Sequence, residues 1–71
     1  MKATQNVRIM EYLDENGSIT PLEAMQCLGV MRLAARIEEL KHDGVPIVMI
    51  RENVTNRWGE KTSFARYWLV R

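Results

Sequence analysis

A chain of 71 residues stands near the lower limit at which apolar burial alone can hold a fold, so one compact core and a single domain over residues 1–71 are expected. Hydrophobic residues make up 46% and charged residues 27% with no repetitive tract, which excludes a disordered tail and a repeat array. The net charge of +1 excludes the strongly basic class of non-specific nucleic-acid binders.

That small charge is unevenly spread. Residues 1–31 carry Lys2 and Arg8 against Glu11, Asp14, Glu15 and Glu23, whereas residues 32–71 carry eight bases against five acids. An anionic partner is expected to meet the C-terminal half. No apolar run reaches the roughly 18 residues that a membrane span needs, and the stretch MKATQNVRIMEYL has charges where a signal peptide would be apolar. A cytoplasmic protein, bacterial or in a phage-infected cell, is the expectation. With Cys27 the only cysteine and His42 the only histidine, neither a disulfide within the chain nor a Cys/His zinc site can be assembled. Cys27 lies among apolar residues and reads as a buried, inert thiol.

In chain order, Val7, Ile9, Met10 and Leu13 fall within one arc of a helix from Thr4 to about Asn16, which Gly17 ends. The tripeptide SIT is too short for an independent strand, although Ile19 can pair with a sheet edge. TPLE at 20–23 starts the second helix: Thr20 caps, Pro21 takes the first turn and Glu23 completes a capping box. Leu22, Met25 and Leu28 give that helix its apolar positions, and Gly29 stops it.

The third helix begins near Met31 or Arg32 and runs to about His42, before Gly44. Leu33, Ala34, Ile37, Leu40 and the stem of Lys41 form its inward side. Met31, Arg32, Ala35, Glu39, His42 and Asp43 form the opposite side, with Arg36 and Glu38 at the margins. From Val45 the period changes: VPIVMIRENV and TSFARYWLV are β-rich, and TNRWGEK between them supplies Asn56 and Gly59 as turn formers. An antiparallel hairpin results. Tyr67 and Leu69 share its core side, whereas Phe64, Arg66, Trp68 and Val70 share the outer one.

Three helices with a tight turn between the second and third, followed by a two-stranded hairpin, make a mainly α, α+β architecture: a winged helix-turn-helix. The short connection CLGVMR sets the third helix at a large angle, free to enter a DNA major groove. The chain from about residue 5 to 69 resembles the small winged helix-turn-helix domains of bacteriophage and prophage genomes, through the segments SITPLEA, LGVMRLAARI, DGVPI and ARYWL. The resemblance implies the winged fold, a recognition helix at 31–43 and a wing at 55–61. It also implies a double-stranded DNA-binding protein of phage or prophage origin, a transcriptional regulator or an excision or recombination accessory factor. Two positions depart from the pattern. Met31 stands where a capping Thr or Ser is usual, and the alanine usual four residues before the turn glycine is Ala24, five before it.

Candidate DNA contacts are Thr20, Arg32, Ala35, Arg36, Asn56, Arg57 and Lys61. Arg32 and Arg36 are one turn apart and can grip a guanine edge or a phosphate, or else pair with Glu39. Ala35 permits close approach to bases. Thr20 can offer its hydroxyl or amide to a phosphate, and Asn56, Arg57 and Lys61 surround the wing tip. Trp58 reads best as packing back on the domain, with stacking on a sugar or anchoring a protein partner as the alternatives. If Phe64 and Trp68 are exposed, they form an apolar patch that suggests a self-association surface and a homodimer; the alternative is that the first helix covers this face. Glu38, Glu39 and Asp43 oppose a phosphate backbone, so the alternative is a protein-interaction module that docks a replication, repair or host defence protein through the wing, Trp58 and Trp68. No catalytic constellation, metal, cofactor, membrane or small-molecule substrate is implied.

Overall fold

The computed structural model describes residues 2–71, with side chains from Gln5 onward. Its elements are α1 (Lys2–Asn16), β1 (Ser18–Ile19), α2 (Pro21–Glu23) continued as a π-helical turn over Ala24–Leu28, α3 (Leu33–His42), β2 (Ile47–Thr55) and β3 (Lys61–Leu69). The predicted order of three helices and a hairpin is present, with one addition. β1 joins the hairpin to give a three-stranded antiparallel sheet in the order β1-β3-β2. Two residues cannot hold a strand alone, but Ser18 lies opposite Trp68 and Ile19 opposite Tyr67. The Leu69 amide also donates to the Gly17 carbonyl at 3.0 Å.

The core combines Ile9 and Leu13 of α1, Ile19 of β1, Ala24, Val30, Leu33, Ile37 and Leu40 of the helix pair, and Ile47 of β2. Within α1 the predicted arc holds for Ile9, Met10 and Leu13, whereas Val7 is exposed and Asn6 is half-buried. In the hairpin the expected alternation holds in part: Met49, opposite Tyr67 on the core side, is exposed, and Phe64 and Arg66, expected on the exposed outer side, are half-buried. Tyr67 and Leu69 pack against the core, while Val48, Ile50 and Trp68 are exposed on the other side of the sheet. The strands pair in register from Ile47 opposite Leu69 to Thr55 opposite Lys61. Nine residues per strand at a rise of about 3.3 Å each carry the far end of the hairpin well clear of the helices.

The second helix departs most from its expected packing. Leu22 and Met25 are exposed, Ala24 is fully buried and Leu28 packs against the core. The cause is the π-helical turn, in which the amides of Gly29 and Val30 both reach back to the Ala24 carbonyl. One extra residue is taken into the turn, so the ordinary helical period no longer gives the facing of Met25 to Leu28. Cys27 is exposed for the same reason, contrary to the buried position expected of it.

At the start of α2 the capping box is complete. The Glu23 amide donates to the Thr20 hydroxyl at 3.2 Å, and the Thr20 amide donates to the Glu23 carboxylate at 3.0 Å. Thr20→Ala is expected to remove about 1 kcal/mol of stability, measured as a lower urea midpoint at unchanged slope.

Candidate nucleic-acid interface

Gly29 takes a left-handed conformation, φ 69°, that only glycine adopts without strain. The chain reverses there and α3 begins at Leu33, so the connection is as tight as its sequence suggested. Arg32 stands at the N-cap position with no side-chain cap. Met31 can provide none, and it lies open to solvent. The first turn of α3 is therefore left without a side-chain cap, beside an exposed arginine.

α3 has three sides. Leu33, Ile37 and Leu40 enter the core. Ala34, Glu38, Lys41 and His42 are exposed, and Ala35, Arg36 and Glu39 occupy a half-buried flank beside α1. On that flank Asn6 donates to Glu39 at 3.3 Å, and Arg36 pairs with the same carboxylate at 3.3 Å. The facing differs from the expected one. Ala34, assigned to the core, is exposed; Ala35, assigned to the centre of the outer side, is half-buried. The stem of Lys41, also assigned inward, is exposed. An alanine fits either side of a helix, and the Asn6–Glu39–Arg36 cluster closes the flank that composition left open.

The sequence-derived candidates are thus dispersed. Arg32 is exposed at the start of α3. Arg36 is folded onto Glu39, with its side chain 20% exposed and its Nε buried without a partner among the described residues. Thr20 is buried and both its groups serve the cap. Asn56 is committed to its own loop, accepting from the amides of Trp58 and Glu60 at 3.0 Å each and donating to the Glu60 carboxylate at 3.0 Å. Arg57 and Lys61 are exposed at the wing tip. Trp58 does not pack back on the domain. Its side of the tip is open, and the Arg57 guanidinium lies 5.5 Å from the ring centroid.

Two further bases are exposed on or near the helix pair. Lys41 carries its charge on the exposed side of α3, and exposed Arg8 reaches the Leu28 carbonyl at 3.4 Å, beside the turn. A lysine stem reads as apolar cover or as exposed charge with equal ease, and only tertiary structure brings Arg8 to the turn. Arg66, expected on the exposed outer side of the sheet, is half-buried and neutralised. It donates to Glu52 at 2.7 Å and to Ser18 at 3.1 Å, and lies 3.7 Å from Glu23. The Glu52 hydrogen bond raises its pKa above the ordinary value against the opposing effect of burial, and its charge is turned inward. Nearby, burial and then the Glu23 charge push the Tyr12 phenol up, so it stays protonated.

No helix among the described residues is long and apolar enough to cross a membrane. Comparison with curated proteins and with solved structures gives no match. A family model described as a winged helix-turn-helix domain matches residues 4–71. That match spans α1, the tight turn at Gly29, α3 and the hairpin, and the class is one that points to DNA as partner. The chain belongs to the winged helix-turn-helix domain family.

Proposed function

We propose that the protein is a sequence-specific double-stranded DNA-binding factor, a phage or prophage transcriptional regulator or an excision or recombination accessory. One observation carries this reading: after the turn at Gly29, α3 leaves Arg32, Ala34, Lys41 and His42 exposed. In the major groove Arg32 makes the leading contact, Lys41 neutralises a phosphate, and Ala34 lets the backbone approach the bases. Arg57 and Lys61 hold the backbone or the minor groove from the wing. Ala35 contacts DNA only at the edge of this surface, and Arg36 only by leaving Glu39. Thr20 and Asn56 act through the cap and the loop they hold together.

Glu38 on the same exposed side repels phosphate but can accept from a cytosine amine, which favours selective over general binding. Exposed Val48, Ile50 and Trp68 support pairing of two copies, each on its own half-site. The deciding measurement is the anisotropy of a labelled random duplex titrated across salt concentrations. A groove binder loses affinity steeply, with a log–log slope of about −0.9 per phosphate contact. A flat or absent response would favour the protein-interaction module instead.

A further inference from the structure

The wing tip carries the least explained apolar group in the molecule. Trp58 is 73% exposed on a loop that does not need it: the Asn56 amide donates to the Glu60 carbonyl at 2.9 Å and the Gly59 amide to the Asn56 carbonyl at 3.0 Å. The Asn56 side chain closes the same loop from within. The indole is therefore displayed on a rigid apex, with its orientation biased by the Arg57 guanidinium lying over the ring.

Such a group is costly in water and has no structural task, so its partner lies outside the fold. The residues around it are Asn56, Arg57, Glu60 and Lys61, polar neighbours with two bases. A protein-binding anchor sits within an apolar surround that excludes water. A flat aromatic beside guanidinium and ammonium groups instead suits a nucleobase with its flanking phosphates, the ring stacking while the cations neutralise.

We propose that Trp58 is a base-stacking wedge. Resting on the DNA-binding reading, this assigns the wing tip a preference for duplexes with an opened or easily kinked step over uniform duplexes. Minor-groove proteins place apolar side chains between base steps in this way, and unstacking costs least where pairing is already lost. Biasing the indole's orientation in the free protein lowers the entropy lost on insertion.

The test compares a labelled duplex with the same duplex carrying a short central mismatch bubble, by anisotropy. Wild type is expected to favour the bubble by about tenfold. Trp58→Ala should abolish that preference while binding the intact duplex within about twofold of wild type, as expected when every phosphate stays neutralised. Trp58→Phe should keep most of it. In a Trp68→Phe background, which leaves Trp58 as the one indole, emission should be quenched as the base stacks. Binding that leaves Trp58 emission unchanged, or a bubble preference that survives Trp58→Ala, overturns the wedge alone. Failure to bind any of these DNAs overturns the wedge together with the groove reading on which it rests.

Discussion

Ile37→Ala is expected to lower stability by about 2 to 5 kcal/mol, a larger effect than that of any other substitution proposed for this chain. Ile37 is 1% exposed at the middle of α3, and it belongs to the core cluster that includes Ile9 and Leu13 of α1. A chain of 71 residues has about 4 to 11 kcal/mol of total stability available. The loss would therefore populate the unfolded state measurably near physiological temperature. Urea unfolding followed by circular dichroism measures it, with Ala34→Ser as the exposed control expected to change stability by about 0.5 kcal/mol or less. An Ile37→Ala midpoint equal to the control's would mean that α3 does not seat on the core through this residue.

The second large effect concerns binding. The pair Arg32→Ala and Lys41→Ala removes both bases from the exposed side of α3, and duplex affinity is expected to fall by about 10- to 100-fold at moderate salt. The log–log salt slope should become shallower by about one for each phosphate that is no longer neutralised. Arg36→Ala tests the facing of the helix from the opposite direction. Because Glu39 already neutralises Arg36, its removal should change affinity less than either other substitution. A larger loss from Arg36→Ala than from the pair would place the interface on the α1 flank.

The order of elements was legible because each boundary rests on local chemistry: the capping box at Thr20, the left-handed glycines at 17, 29 and 44, and the change from helical to alternating spacing after Val45. The facing of the helices was less legible, for two reasons. Alanine says nothing about direction, so helical spacing puts Ala34 on the inward side of α3, whereas the structure exposes Ala34 and half-buries Ala35. In the second helix the π-helical turn at Ala24 breaks the period on which every wheel depends, exposing Met25 and Cys27. Thr20 and Asn56 have groups that suit phosphate and equally suit a cap and a loop, and the structure uses them in the cap and the loop. Arg66 carried no mark in the sequence of the three acceptors and acids that draw it inward.

The turn at Ala24 also bears on how this chain should be aligned with its relatives. It accommodates what amounts to a one-residue insertion, so counting backward from Gly29 lands on Met25, a side chain in water, whereas the buried methyl belongs to the residue before it. Correspondence between members of such a family is better anchored on the small interior side chain than on distance to the glycine, since a slip of one position would misassign the facing of the whole second helix.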